Sequence, residues 1–221
     1  KNIKHLAAMS SNVEETILEL LDIKQEMFRR LKLVKDADVT GIVSYNSKVN
    51  KKDRLPFIFV IIDELFSFMT LPASPPNRKD ATSEDLIFNQ KTAYRTMAEI
   101  ASMCRAVGIH LMFCTQRPTD SVIPTNITCN CGLRIGLRTS NEQESRNIIE
   151  EKGLEIIDIN AVGQGIVKTD KLTRFQTFWT TEEKIREVCA KNKRTTLEAK
   201  VINKEKADEK AKSQIFDAFA E

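Results

Sequence analysis

Leu55-Pro56-Phe57-Ile58-Phe59-Val60-Ile61-Ile62-Asp63-Glu64 is an apolar run that ends in two adjacent carboxylates. Such a run fits a strand covered on both faces, as in the middle of a parallel sheet. The carboxylates then stand at the carboxyl end of the strand, the edge where open α/β sheets bind ligands. Hydrolysis of a nucleoside triphosphate needs this arrangement. One carboxylate holds Mg²⁺, directly or through water, and the next orients the attacking water. Read this way, the run is a Walker B motif, with Asp63 on the metal and Glu64 on the water. The alternative is a buried strand followed by a helix N-terminus, whose first turn accepts acids.

A second stretch strengthens the first reading. Arg105-Ala106-Val107-Gly108-Ile109-His110-Leu111-Met112-Phe113-Cys114 leads into Thr115-Gln116-Arg117-Pro118. Residues 109–114 form another short apolar strand, and Gly108 ends the helix before it. A polar residue at the tip of a strand beside the Walker B strand can touch both the attacking water and the γ-phosphate. Gln116 or Thr115 is placed for that sensor task. The alternative is a polar strand end that opens a loop, with Pro118 stopping the ladder.

These segments, followed by Leu133-Arg134-Ile135-Gly136-Leu137-Arg138 and Ser145-Arg146, stand in the order seen in FtsK/SpoIIIE-type motors. The chain resembles that family from about Glu26-Met27-Phe28-Arg29-Arg30, through Tyr45-Asn46, to about Thr181. The resemblance implies a RecA-like P-loop NTPase core, an α/β fold with a mostly parallel sheet flanked by helices. It implies ATP and Mg²⁺ as cofactors and double-stranded DNA as the polymer moved. It also implies a hexameric ring in the intact protein, at the inner face of the bacterial cell membrane through segments outside this chain. A related possibility is a type VII protein secretion ATPase, which carries the same motifs in tandem cores. A third is a non-enzymatic ring component without a P-loop.

One expected feature is missing from the sequence. A P-loop needs Gly-x-x-x-x-Gly-Lys-[Ser/Thr], whose backbone cradles phosphates while its lysine reaches the terminal ones. None of the seven glycines is followed by Lys-Ser or Lys-Thr. In the family this loop precedes the region matched here, so the chain is read as the C-terminal part of a longer motor. Alone, it is expected to bind ATP weakly and not to turn it over at a useful rate.

Composition is that of an ordinary globular domain, with 41% hydrophobic and 29% charged residues in 221. No apolar run approaches the roughly 20 residues that span a bilayer. A net charge of +3 neither demands nor excludes nucleic acid, because a pore needs only local positive charge. The five cysteines are scattered and odd in number, which argues against a disulfide framework. Cys129-x-Cys131 lacks the partners of a zinc site. His110, inside a strand, reads as a hydrogen-bonded structural residue.

Along the chain, Ser11 and Glu14 form a capping-box pattern before a helix to about Lys32. Residues 35–54 read as turn-rich, with Tyr45 as an anchor. A helical turn is expected over 65–70, a proline-broken loop over 71–83 and a long helix over about 83–107. Thr119 to Asn130 reads mostly as loop. Alternation over 133–138 predicts a strand. A helix over about 142–152 stops at Gly153, strands follow over 163–168 and 173–180, and Thr180 with Glu183 caps a last helix. Residues 1–190 thus read as a partial motor domain, and 191–221 as a charged helical or disordered tail.

The loop after the Walker B helix faces the central pore in this family, which makes Arg78 and Lys79 candidate contacts to DNA phosphates. A ring motor also completes each ATP site with a cation from the neighbouring subunit. Arg105, Arg117, Arg134, Arg138 and Arg146 are the candidates, with Arg146 and Arg105 the first to test. Arg146 can instead pair with Glu142 or Glu150 on its own helix.

Overall fold

A computed structural model of the chain describes residues 5–76 and 82–192. They form two compact units, one of residues 12–131 and one of residues 132–192 with 5–11.

The first unit is built on two strands, β1 (Ile58–Ile62) and β2 (Ile109–Phe113), paired in parallel with Ile58 opposite Ile109 and Ile62 opposite Phe113. A parallel pair needs a crossover, and helices supply it. Helix α1 (Val13–Asp36) turns Ile17, Leu20, Met27 and Val34 inward at helical spacing. It packs along α4 (Gln90–Met103), which contributes Ala93, Met97 and Ile100. Each such large apolar side chain contributes about 1.5–3 kcal/mol on burial. Lys24 of α1 meets Glu99 of α4 at 2.5 Å.

This core covers one face of the strand pair, the one with Ile58, Val60, Ile62, Leu111 and Phe113. The other face is not covered among the described residues. Phe59 is 72% exposed, Ile61 is 65% exposed, and Phe57 and Met112 are exposed beside them. The expectation of a strand buried on both faces is therefore met on one face only. His110 lies on the outer face with its ring stacked on Phe57 and Phe59, at centroid distances of 5.8 and 5.1 Å. Ring stacking is thus what the structure shows for a residue expected to be hydrogen-bonded.

Arg30 is the least expected member of the core. Only 2% exposed, it donates to Glu26, to the carbonyl of Pro56 at 2.7 Å and to that of Val107 at 3.1 Å. One guanidinium thus ties α1 to the chain just ahead of both strands. Asn46 pins the same region, its side-chain amide pairing with both the N–H and C=O of Leu55 at 2.8 Å. It sits on α2 (Ile42–Lys48), a helix inside the stretch expected to be turn-rich, and Tyr45 beside it is buried. Burial of Ile42 and Tyr45 on one face stabilises a segment whose polar composition reads as loop.

Other boundaries shift for local reasons. The cap of α1 is Asn12, which accepts from the Glu15 N–H at 2.8 Å, in place of Ser11, and the helix runs four residues past Lys32. The long helix expected from residue 83 is broken into α3 (Ser83–Ile87) and α4. Asn89, fully buried at the break, caps α4 through Thr92 N–H and donates back to the carbonyls of Asp85 and Leu86. Within 119–130 a short helix, α5 (Thr125–Thr128), buries Ile127.

The second unit is an antiparallel sheet of β3 (Arg134–Leu137), β4 (Gln164–Lys168) and β5 (Leu172–Gln176), in that order. Parallel pairing among the described residues is thus confined to β1 and β2. Helix α6 (Glu142–Ile149) packs on β3, and Ile149, Leu154, Ile157 and Ile166 make the core. The inward residue of β3 is Gly136, while Ile135 and Leu137 face outward. A Cβ on Gly136 would come within 2.2 Å of Leu154 Cδ1, so the glycine makes room for a core leucine. The last helix, α7 (Glu182–Lys191), is capped by Thr181, one residue beyond Thr180, and buries no side chain. The charged tail beyond Asn192 lies outside the described residues.

Candidate nucleotide site

Asp63 and Glu64 follow β1, and Cys114 to Arg117 follow β2. The ladder continues past both strands, since Cys114 N–H donates to Ile62 C=O and Leu65 N–H to Cys114 C=O, each at 2.9 Å. This pairing holds the two strand tips side by side and brings four of the expected residues together.

Glu64 is the centre of the arrangement. Its Oε1 accepts from the Thr115 hydroxyl at 2.7 Å and from the Phe66 N–H at 3.0 Å. Its Oε2 accepts from the Gln116 N–H at 3.1 Å. The Phe66 bond makes Glu64 the cap of the 3₁₀ turn Leu65–Thr70, so the alternative of an acid at a helix start is realised in part. The two bonds from residues 115 and 116 are not capping bonds. They cross from the neighbouring strand and fix the direction of the carboxylate. Burial pushes the Glu64 carboxyl up, but the Thr115, Phe66 and Gln116 hydrogen bonds and the nearby Arg117 charge outweigh it, and the group lies below its ordinary value.

Asp63 is exposed beside Glu64. No group of three or more His, Cys, Asp or Glu side chains among the described residues is arranged to hold a metal. A lone exposed carboxylate nonetheless suits Mg²⁺, which keeps several waters and takes one or two carboxylates plus substrate phosphates. Cys114, beneath the pair, has its thiol pushed up by burial and by the Asp63 and Glu64 charges, which makes it a poor thiolate.

Gln116 and Arg117 are exposed. The Arg117 guanidinium lies over the Phe66 ring, 4.3 Å from its centroid. Neither Phe66 nor the backbone N–H of Gln116 is a residue that sequence reasoning selects. An aromatic two positions after the acidic pair is the only hint, and it becomes meaningful once residues 66 and 117 are seen together.

The remaining candidates lie elsewhere. Arg105 is exposed in the turn that precedes β2, at the strand end opposite to residues 115 and 116. Arg146 belongs to the second unit, where its guanidinium meets Glu142 at 2.6 Å on its own helix. Arg134 pairs with Glu150 at 2.9 Å, and Arg138 is exposed. Arg78 and Lys79 lie outside the described residues.

Comparison with known proteins gives a consistent result. The chain is 37% identical over 169 residues to the DNA translocase FtsK of Caldanaerobacter subterraneus, which covers 74% of this chain and 21% of the relative. It is 33% identical over 159 residues to the DNA translocase FtsK of Treponema pallidum, covering 70% of this chain and 18% of that one. The chain belongs to the FtsK/SpoIIIE family. FtsK of Oceanobacillus iheyensis extends the match to 90% of this chain at 27% identity, and 25% of that protein. The chain spans about a fifth to a quarter of the length of these FtsK relatives. No family model matches the chain.

Solved structures agree on the fold. The pCW3 conjugation coupling protein TcpA, in its monomer form with ATPγS, superposes with a TM-score of 0.66 at 24% identity, over 78% of this chain and 46% of that one. The cytoplasmic domain of the type VII secretion ATPase EccC of Thermomonospora curvata gives 0.61 at 20% identity, over 85% of this chain and 22% of that one. The fold is thus that of RecA-like motor ATPases. No helix among the described residues is long and apolar enough to cross a membrane.

Proposed function

We propose that this FtsK/SpoIIIE-family chain supplies the water-activating half of an ATP site in a motor that moves along double-stranded DNA. The observation that carries the reading is the Glu64 carboxylate, held between two strand tips by Thr115 and the Gln116 N–H beside the exposed Asp63. The DNA part rests on relatives that are named DNA translocases.

In this mechanism Asp63 supplies a carboxylate oxygen to Mg²⁺, which when bound neutralises charge on the triphosphate. Glu64 orients the attacking water and accepts its proton. Its hydrogen bonds keep it ionised and aimed, so ordering is its main contribution and basicity a lesser one. The Gln116 side chain, at the tip of β2, is offered to the water and the terminal phosphate. The phosphate-cradling loop comes from polypeptide outside these 221 residues. Arg146 or Arg105 of one subunit serves the site of the next in a hexameric ring. Arg78 and Lys79 contact DNA phosphates, and the ring is held at the membrane by segments elsewhere in the protein.

The test uses the full-length protein. Duplex DNA is expected to stimulate its ATPase. Glu64→Gln is expected to lower turnover by about 100-fold or more while leaving ATP binding intact. Stimulation by a helical peptide in place of duplex DNA points to protein export, and turnover by Glu64→Gln at the wild-type rate removes Glu64 from the chemistry. The isolated 221-residue chain is expected to hydrolyse little ATP, and robust Mg²⁺-dependent turnover by it overturns the assignment of the phosphate cradle to another segment.

A further inference from the structure

Resting on that reading of the ATP site, we propose that Arg117 is a positioning residue for Glu64 within its own subunit, and not an arginine finger offered to a neighbour.

Arg117 reaches Glu64 by two routes that close a ring of four residues. On one route, the Arg117 backbone N–H donates to Thr115 Oγ1 at 3.1 Å, and the Thr115 hydroxyl donates to Glu64 Oε1 at 2.7 Å. A threonine hydroxyl has one proton and two lone pairs. Because its oxygen accepts from Arg117, its rotamer is fixed and its single proton is committed to Glu64. On the other route, the guanidinium lies 4.3 Å above the Phe66 ring, and the Phe66 N–H donates to the same Glu64 oxygen at 3.0 Å. Both routes end on Oε1, so any shift of Arg117 acts on one oxygen of the carboxylate through two neighbours.

The rest of Arg117 is anchored as well. Its carbonyl accepts from the Thr119 N–H at 2.9 Å, and Pro118, buried beside it, has its φ locked by its ring. The planar guanidinium head is spent on an aromatic face of its own subunit, a use to which arginine is better suited than lysine. Arg117 is exposed, so substituting it removes the stacking without opening the core.

Full-length protein carrying Arg117→Gln, Phe66→Leu, or both decides the matter, with steady-state ATPase and thermal melting measured on each. Arg117→Gln is expected to lower kcat about tenfold with KM for ATP and the melting temperature unchanged, and Arg117→Lys to recover part of the loss. Phe66→Leu is expected to lower kcat similarly, and the double variant to be no worse than the poorer single one, because both break one ring of contacts. Mixing Arg117→Gln protein with Glu64→Gln protein is expected to restore nothing, since no subunit then holds both groups. Recovery of turnover in the mixture overturns the proposal, because it shows that Arg117 serves the adjoining subunit's site. Turnover by Arg117→Gln at the wild-type rate also overturns it. Wild-type protein without ATPase activity removes the site reading itself, and with it this inference.

Discussion

Gly108 shows how much one residue can decide. It takes φ of +71°, closes the turn before β2, and its carbonyl accepts from the Ile58 N–H at 2.9 Å. A side chain there is strained by the backbone angle, and its Cβ would lie 2.4 Å from Ile42 Cδ1. Gly108→Ala is expected to cost about 1–3 kcal/mol, read as a fall in the midpoint of urea unfolding. An unchanged midpoint would mean that the turn relaxes freely. This glycine was legible in the sequence because the conformation it permits is a property of the residue type. Asp63 and Glu64 were legible for a similar reason, since an apolar run that stops at two acids is a local pattern. Thr115 was only half legible. Sequence reasoning placed it at the strand tip for contact with water and phosphate, whereas its hydroxyl lies on Glu64, 51 positions away. The stacking of Arg117 on Phe66 was invisible, because nothing local links a residue to one that far along the chain.

At the scale of elements, the joint between α1 and the two strands depends on a small charged cluster. Glu26 binds Arg29 through both oxygens, at 2.7 and 2.8 Å, and Arg30 at 2.7 Å. The Arg29 hydrogen bonds, followed by those of Arg30 and both positive charges, outweigh burial and lower the Glu26 carboxyl from 4.5 to about 2. A carboxyl whose folded value is depressed adds stability that is fully present above its unfolded value and fades as pH falls through the folded one. The Glu26 contribution is therefore expected to disappear between pH 4.5 and about 2. Glu26→Gln should flatten the acid limb of a stability–pH curve in that window, and an unaltered limb would assign acid sensitivity to other groups. Arg30→Met, which strands two carbonyls and leaves Glu26 with Arg29 alone, is expected to cost about 2–4 kcal/mol at neutral pH. The elements themselves were legible where periodicity was long, as in α1, or uniformly apolar, as in β1. Helix α2 was missed because its seven residues carry only Ile42 and Tyr45 inward. The break at Asn89 was missed because an asparagine that bonds both flanking helices does not announce itself in composition.

For the whole molecule, the question is what the outer face of the parallel strand pair does in water. Phe57, Phe59, Ile61 and Met112 form one apolar surface, and both strands leave an edge unpaired among the described residues. Such surfaces favour association. Expressed alone, the chain is expected to bind a hydrophobic dye and to sediment with increasing apparent mass as concentration rises. Paired Phe59→Lys and Ile61→Glu changes should suppress both effects, and monodisperse behaviour without dye binding in the unaltered chain would contradict this. The sequence carried this feature too, as a run apolar on both sides, but could not say which side these residues cover. The Arg30 clamp has a different reach. It grips the backbone two residues ahead of Ile58 and of Ile109, which are partners in the ladder, whereas Glu64 and Thr115 meet beyond the other end. Since a parallel strand advances about 3.3 Å per residue, a slip of a single position would carry the threonine hydroxyl out of reach of the glutamate. The arginine thus behaves like the stop on a drafting rule, and an enzyme assay is a sensitive gauge of whether it holds.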